Sequence, residues 1–264
     1  MLYRLRRHPL SIAAHFRHSL VLTYAYPADL LEPLLPPGLA LDAYGEHGFV
    51  AVATVQTERL RPSFLPPAVG LDFFLTGYRI FVRVARTPSL RGLYILRSDA
   101  DRRAMVVLGN LLTHYRYRFA DVSCVERNAT LEIRVRTPRH EADLHLEADL
   151  DSRPAALPAH SPFNDLVDAR RFAGPLPYTF DYEYPSRSII AVRSARGEWD
   201  PQPVAVKVRH ASFFASPPLS AAEPVLANAF YVGDVDYRWE RGHVLPAGSV
   251  RSSPTTSTPR DAAR

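Results

Sequence analysis

The 264-residue chain contains one cysteine and one lysine, and each scarcity excludes a class of chemistry. Cys124 has no partner for an intramolecular disulfide, which favours a reducing compartment. No setting that would activate a thiol is visible around it, so a structural role is favoured over a nucleophilic one. Lys207 is the only lysine, so Schiff-base chemistry has a single candidate.

Membrane and secretion signals are also missing. No run approaches the roughly 18 apolar residues of a transmembrane helix. Residues 9–14 are mostly apolar, but His15 and Arg17 interrupt them too early for a signal peptide. We therefore predict a cytoplasmic protein with no membrane partner.

The sequence lacks the common cofactor and nucleophile motifs. There is no Gly-x-Gly-x-x-Gly, no Walker loop and no Gly-x-Ser-x-Gly elbow, which argues against nucleotide-dependent enzymes and serine hydrolases. No cysteine pair or His-x-x-x-His spacing supports zinc, and His140, His145 and Glu147 belong to the exposed face of an ordinary strand. We expect neither a cofactor nor a metal.

The formal net charge of +5 raises the question of an anionic partner such as nucleic acid. Basic residues alternate with Asp and Glu along most of the chain, which is typical of a solvated surface. Only residues 4–18 form a basic cluster, where a weak phosphate or membrane contact stays open. We predict no nucleic-acid partner.

In most segments of the sequence, apolar and polar residues alternate with a period of two, which is the pattern of half-buried strands. Residues 131–136 and 144–150 alternate in this way and predict an antiparallel hairpin through residues 137–140. Residues 178–184 and 204–208 show the same alternation. The chain is therefore predicted to be mainly β.

Two segments have helical spacing instead. Pro27 can open a helix with Leu30, Leu31, Leu34 and Leu35 on one face, and residues 36–38 (Pro-Pro-Gly) end it. Such a leucine face is typical of core.

A second helix lies centrally in the chain. Ser98 can cap it, and Met105, Leu108, Leu111 and Leu112 recur at helical spacing. Proline clusters elsewhere are typical of loops rather than domain linkers. We predict one domain over residues 1–246 and a disordered tail over residues 247–264.

The order of four segments along the chain is informative about its family: residues 26–55, 77–83, 92–100 and 112–117. In that order they resemble the uncharacterised bacterial YqjF-like family (domain of unknown function 2071) of the acetoacetate decarboxylase-like superfamily. The resemblance covers about residues 15 to 245. It implies a mainly β (α+β) fold whose antiparallel sheets curl into a cone or barrel around a small-molecule pocket, with few helices. It also implies a homo-oligomer as an expectation.

The resemblance breaks at the residue that defines the superfamily's chemistry. Acetoacetate decarboxylases carry adjacent lysines just after the central helix. The corresponding segment here, residues 112–115 (Leu-Thr-His-Tyr), contains no lysine. Schiff-base decarboxylation is therefore not expected there. Lys207 could supply an amine from another strand, or it could be a solvated strand lysine beside Arg209.

Residues 114–119 provide the first group of site candidates. His114 and Tyr115 are candidate proton carriers, because the resemblance places them at the superfamily's central pocket, and Arg118 could bind a carboxylate. The alternative is that the aromatic face, with Tyr115, is core and the basic face, with His114 and Arg118, is a rim or surface.

Three further candidates come from other strands. Arg79 could hold a substrate carboxylate, or it could form a structural ion pair with Glu58 or Asp99. His210 follows the valines of its strand and should point inward, as a third catalytic candidate or as a core histidine. Tyr94 is a candidate for substrate binding.

Two functions remain open from the sequence. The first is a cofactor-independent lyase, dehydratase or isomerase acting on a small oxo acid or related enolisable metabolite. The second is a non-catalytic small-molecule-binding or structural protein of the same fold. Convergent polar groups with shifted pKa values inside the barrel would favour the enzyme, and an apolar or filled interior would favour the alternative.

Overall fold

The computed structural model describes residues 2–174, 176–197 and 199–247. Fifteen strands run through these residues: β1 (Ile12–Pro27), β2 (Leu39–Leu41), β3 (His47–Pro62), β4 (Leu71–Val84), β5 (Thr87–Ala100), β6 (Tyr117–Phe119), β7 (Asp121–Arg127), β8 (Thr130–Arg136), β9 (Leu144–Asp149), β10 (Tyr178–Glu183), β11 (Ser188–Arg196), β12 (Gln202–Pro203), β13 (Ala205–Ala211), β14 (Val225–Trp239) and β15 (His243–Pro246). Three α-helices accompany them in the described residues: α1 (Ala28–Leu31), α2 (Arg103–Leu112) and α3 (Leu166–Ala173).

Seven strands close into a ring. Their order is β14-β1-β3-β4-β5-β10-β11, and β11 pairs with β14 again through residues 194–196. All neighbours in the ring are antiparallel except β10 and β5, which run parallel through residues 178–180. The ring confirms the prediction of a mainly β protein with curled antiparallel sheets and few helices.

A second sheet of four strands, in the order β13-β9-β8-β7, packs on the outside of the ring. The core between the two sheets is apolar and includes Leu20, Ile80, Ile133 and Leu146, all essentially inaccessible to solvent. The predicted hairpin of residues 131–150 forms the centre of this sheet, because β8 and β9 pair antiparallel. Burial of such side chains contributes about 25 cal/mol for each Å² of apolar surface.

The inside of the ring is filled only in part. A cluster around Phe49, Phe81 and Phe163 packs one part of the interior, and Phe172 of α3 joins it. A smaller cluster around Phe73 and Met105 packs a second part. The cavity described below is lined by residues of both clusters.

A β-bulge in β5 decides which residues face the inside. Tyr78 pairs with Arg97, whereas the next residue, Arg79, pairs with Ile95, so Leu96 is an extra residue in the ladder. Side chains alternate between the faces of a strand, and one extra residue reverses that alternation. Tyr78 and Arg97 therefore share the outer face, while Arg79 and Ile95 face the inside.

The predicted helices exist in altered form. Pro27 ends β1, α1 has four residues, and a 3-10 turn over Glu32–Leu34 follows it before the proline pair. The capping role predicted for Ser98 is wrong, because Ser98 lies in β5 and Arg102 occupies the cap position of α2. The helix α3 is an element that the sequence patterns do not predict.

Two further predictions concern the ends of the chain and the membrane. The tail predicted for residues 247–264 lies outside the described residues, apart from Ala247. No helix in the described part of the chain combines the length and the apolarity that a membrane crossing requires.

Candidate ligand cavity

The ring encloses a cavity of about 390 Å³. Its walls are the inward side chains of the ring strands, including Phe16, Ala53, Leu75 and Ile95, together with parts of α2 and α3. The lining is mostly apolar with a few polar groups, and both this composition and this volume are typical of small-molecule binding sites. The cavity is therefore a preformed candidate binding site.

Arg79 is the central charge of this cavity. It follows Phe73 and Leu75 on the inner face of β4, and its guanidinium folds back over Gly77. A Cβ atom at position 77 would lie 3.0 Å from Nη2 and 3.1 Å from Nε, so the glycine leaves the room that the guanidinium occupies. Part of Arg79 remains accessible because it borders the cavity.

No acid neutralises Arg79 among the described residues. Its Nε is buried without a hydrogen-bond partner, and the groups that act on its pKa are burial, which lowers it, and the phenols of Tyr237, Tyr117 and Tyr115, which raise it. The predicted alternative of an ion pair with Asp99 is not realised, because Asp99 binds Arg97. An arginine stays charged in proteins, so Arg79 is an enclosed cation in need of a counter-anion.

The phenols beside Arg79 are held by the segment after α2. Asn110 donates to the Tyr117 carbonyl oxygen at 2.8 Å and accepts from the Tyr117 backbone nitrogen at 2.9 Å. Thr113 Oγ1 accepts from the Tyr115 nitrogen at 3.2 Å, and Arg116 between the two tyrosines adopts a left-handed backbone with φ of 57°. This local geometry turns both Tyr115 and Tyr117 toward the cavity.

Burial keeps these phenols protonated. It raises the pKa of Tyr117 to about 12 and the pKa of Tyr115 well above its usual value. Neutral phenols can donate hydrogen bonds to an oxygen of a ligand bound at Arg79, but they are poor bases near neutral pH.

His8 also lines the cavity, although the sequence patterns do not single it out. Its ring centroid lies 6.3 Å from that of Tyr115, and its Nδ1 has no hydrogen-bond partner among the described residues. Burial lowers the pKa of His8, so the imidazole is neutral at pH 7 and can accept a proton. In the sequence, His8 belongs to the basic cluster of residues 4–18, and membership of that cluster does not predict a position in a cavity.

A second group of cations lies elsewhere in the cavity wall. Arg170 of α3 and Arg196 at the end of β11 both line it, together with Trp199. Arg170 Nη2 donates to the Trp199 carbonyl oxygen at 3.2 Å, and Arg196 Nη2 lies 3.4 Å from the Tyr237 hydroxyl. No pattern in the sequence indicates either arginine as a site residue, because the rest of the cavity lining comes from segments that are distant in the chain.

The charge balance of the cavity is one-sided. Its lining contains four arginines and, among the described residues, no aspartate or glutamate. The fourth, Arg61, is satisfied by the carbonyl oxygens of Leu65 and Arg59 at 3.0 and 2.9 Å. The other three give the cavity a positive potential that favours anionic ligands.

Asp181 is a buried carboxyl behind the cavity wall. It shares the inner face of β10 with Thr179, is 2% exposed, and its Oδ2 has no hydrogen-bond partner in the described part of the chain. Burial raises its pKa to about 7, against the opposing effects of the Tyr182 backbone and of Arg116. Its charge also contributes to the raised pKa of Tyr115.

His114 does not line the cavity. Its Nε2 lies 3.6 Å from Glu183 Oε1, and Glu183 is also bound by Arg7 Nη2 at 2.6 Å. Burial lowers the pKa of His114, although the carboxylate of Glu183 opposes the shift. The structure therefore places His114 in a buried ion-pair cluster beside the cavity.

Three other predicted site residues also lie outside the cavity. Tyr94 faces the core outside the ring, where its hydroxyl accepts from Arg116 Nη2 at 3.0 Å. Arg118 is exposed and pairs with Glu141 at 3.3 Å. Lys207 is exposed on the four-stranded sheet.

The inward orientation predicted for His210 is wrong. A register shift between Val208 and His210 interrupts the alternation of β13, and the histidine is exposed. Of the seven predicted site residues, the cavity brings together Arg79 and Tyr115.

One cluster on the four-stranded sheet has the composition of a metal site. Ligand atoms of Glu132, His145 and Glu147 lie within 4.8 Å of one another. Arg134 Nη2 already binds Glu132 at 2.5 Å and Arg209 binds Glu147 at 3.0 Å. These arginines compensate the acidic groups, so the cluster is explained as a surface ion-pair network.

Comparisons with known proteins agree with the fold. The profile of a family described as an uncharacterized conserved protein, domain of unknown function 2071, matches residues 13–234. None of the curated proteins matches the chain significantly.

Solved structures are similar over most of the chain. Acetoacetate decarboxylase from Legionella pneumophila has 14% identity and a TM-score of 0.58, covering 88% of this chain and 86% of that one. An acetoacetate decarboxylase-like enzyme from Sphingomonas wittichii RW1 has 16% identity and a TM-score of 0.59, covering 92% and 95%. The enduracididine biosynthesis enzyme MppR complexed with pyruvate has 10% identity and a TM-score of 0.56, covering 90% and 91%.

Proposed function

The chain belongs to the family named domain of unknown function 2071, and we propose that it is a cofactor-independent enzyme that binds an oxo acid or a related enolisable acid in its central cavity. The reaction class is that of a lyase, dehydratase or isomerase. Its first chemical step is removal of a proton next to a carbonyl group.

The observation that carries this proposal is Arg79. Its guanidinium is enclosed by protein and has no acid partner in the described part of the chain, which is costly unless a ligand supplies the anion. Carboxylates bind arginine through two parallel hydrogen bonds, which fixes their orientation as well as their position. The fold neighbour MppR was solved with pyruvate, an oxo acid, and this likeness supports the choice of ligand class.

The groups near Arg79 suit enolisation. Tyr117, whose phenol stays protonated, would donate a hydrogen bond to the carbonyl oxygen and stabilise the negative charge that develops there. His8 would accept the proton from carbon as a neutral imidazole, and Tyr115 lies beside it. His8 thus takes the role predicted for His114.

The proposal is tested with a panel of 2-oxo and 3-oxo acids of different lengths. Binding is measured by calorimetry, and proton removal is measured by NMR as exchange of the carbon-bound hydrogen with D2O. Arg79→Met should weaken binding by about 30-fold to 1000-fold, equivalent to ~2–4 kcal/mol. The matched control is Arg118→Gln, an exposed arginine outside the cavity, which should leave binding unchanged.

His8→Gln separates chemistry from binding. It should abolish the D2O exchange while affinity changes little, because the imidazole acts on the proton rather than on the carboxylate. A folded Arg79→Met protein that keeps full affinity for every acid would refute the proposal.

The rival is a non-catalytic binding protein with the same cavity, and the mostly apolar lining favours it. In that case the acids bind in an Arg79-dependent manner, but no hydrogen exchange occurs above the rate in free solution.

A further inference from the structure

Arg170 and Arg196 form a second cationic region of the cavity that a ligand held only at Arg79 leaves unexplained. Arg170 comes from α3 and Arg196 from the end of β11, and both contact Trp199. The Arg196 guanidinium carbon lies 5.1 Å from the Trp199 ring centroid and 5.4 Å from that of Tyr237. Two arginines and two aromatic rings thus meet in one part of the wall.

Structural hydrogen bonds within the described residues satisfy these arginines only in part. Arg170 Nη2 binds the Trp199 carbonyl oxygen at 3.2 Å, whereas its Nη1 is buried without a partner. Arg196 Nη2 binds the Leu176 carbonyl oxygen, whereas its Nε is buried without a partner. The Trp199 Nε1 is a third buried donor without an acceptor. Unmatched buried donors destabilise the folded protein unless something accepts from them.

In the described part of the chain, no carboxylate forms an ion pair with either cation. Burial is the main cause that lowers the pKa of Arg170; Asp200 opposes the lowering, and Arg196 adds to it. Asp200 is exposed to solvent, so its charge is screened. The cavity lining itself provides no acid among the described residues.

From this arrangement we infer that the ligand of this cavity is a dianionic acid, with one carboxylate at Arg79 and a second anionic group at Arg170 and Arg196. The inference rests on the proposed function, because Arg79 holds the first carboxylate. Tyr237 connects the two regions: its hydroxyl lies 3.4 Å from Arg196 Nη2, and it lines the cavity together with Arg79. The ligand would run between them along the aromatic wall.

The size of the cavity agrees with such a ligand. An engineered apolar cavity of about 150 Å³ holds benzene, and this cavity measures about 390 Å³. A three-carbon oxo acid would leave most of that space unfilled, whereas a longer acid with two charged ends would fill it.

The test uses α,ω-dicarboxylates from butanedioate to octanedioate, each beside the monocarboxylate with the same number of carbons. Calorimetry on the intact protein should show one dicarboxylate length that binds at least about tenfold more tightly than its matched monocarboxylate. Arg170→Gln and Arg196→Gln should each remove that preference, so that the dicarboxylate binds no more tightly than its matched monocarboxylate.

Matched controls come from the same elements. Arg171 on α3 and Arg193 on β11 are exposed, so Arg171→Gln and Arg193→Gln should keep the dicarboxylate preference. The comparison on the intact protein needs no substitution, so it remains decisive even where a variant does not fold.

The outcomes separate the two proposals. If no dicarboxylate exceeds its monocarboxylate while binding still depends on Arg79, the inference fails and the proposed function stands. If Arg79→Met binds every acid as well as the intact protein, the proposed function fails with it. A dicarboxylate preference that survives both Arg170→Gln and Arg196→Gln also overturns the inference, because the second anion then binds elsewhere.

Discussion

Arg79 inside the ring and Arg97 outside it lie on adjacent strands, yet they have opposite surroundings. Arg97 is 5% exposed and donates two hydrogen bonds to Asp99 at 2.7 and 2.8 Å, with Glu141 at 3.1 Å. Arg79 has no acid partner anywhere in the described residues. A buried arginine with a complete set of partners holds the fold together, whereas one without partners indicates a ligand.

The bulge at Leu96 separates these two environments. It reverses the alternation of β5, so Arg97 joins Tyr78 outside the ring, where Glu141 of the β8–β9 connection can reach it. If side chains alternated without interruption from Ile95 onward, Arg97 and Asp99 would face the cavity and give it a carboxylate. The bulge therefore keeps the Asp99 carboxylate out of the ring.

The largest effect is expected outside the ring. Arg97→Ala leaves Asp99 buried without its cation, which should lower the free energy of unfolding by about 3–5 kcal/mol. Urea denaturation followed by circular dichroism measures this loss. Arg118→Ala, which removes an exposed partner of Glu141, should cost less than about 1 kcal/mol. Equal losses for the two variants would show that Arg97 is not a structural arginine.

Asp181 differs from Asp99 because it is a buried carboxyl without an ion pair in the described part of the chain. Burial raises its pKa to about 7 from 3.8, so the folded state holds a proton that the unfolded state releases. Protonated Asp181 therefore makes its full contribution to the free energy of unfolding below about pH 4. That contribution falls as the pH rises toward 7, by up to about 4 kcal/mol.

Asp181→Asn should remove that fall, and the difference in unfolding free energy between variant and intact protein should grow from pH 4 to pH 8. Parallel pH profiles for the two proteins would mean that Asp181 is ionised at little cost.

Inside the ring, removal of the unpaired charge should not destabilise the protein. Arg79→Met replaces a partly buried cation by an apolar side chain, so the free energy of unfolding should stay equal or rise by about 1–3 kcal/mol. The measurement requires a buffer without carboxylate or phosphate. A loss of stability under those conditions would place Arg79 with Arg97 as a structural residue.

The smallest effect on stability is expected at Gly77. A Cβ there meets the flexible end of Arg79 at 3.0 Å, so Gly77→Ala should change the unfolding free energy by less than about 1 kcal/mol. The displaced guanidinium should nevertheless change the affinity for carboxylates several-fold, measured by calorimetry. Unchanged affinity would mean that the guanidinium already moves freely in the cavity.

The architecture could be predicted because strand alternation and the order of the family segments are local signals. The β8–β9 hairpin and the mainly β class follow from such signals. The cavity residues are less accessible to prediction, because contacts between distant strands decide which side chains meet. Arg170 and Arg196 reach the cavity from α3 and β11, and no spacing in the chain connects them with Arg79.

Irregular backbone accounts for two further differences between prediction and structure. Alternation predicts that His210 faces inward, but a register shift after Val208 reverses it. The strand expected over residues 114–119 is shorter than predicted, because only Tyr117–Phe119 is strand and Arg116 has a positive φ. Tyr115 and Tyr117 line the cavity together, while His114 binds Glu183 outside it.

If an anion binds at Arg79 as proposed, the melting temperature of this protein depends on the anions in the solution. Any anion that binds the folded state alone stabilises it by RT ln(1 + [L]/Kd), which is about 2.7 kcal/mol at a concentration of one hundred times Kd. Acetate, citrate or phosphate in a storage buffer would thus act as a hidden ligand. The melting temperature measured at a series of anion concentrations would therefore report how tightly each anion binds at Arg79.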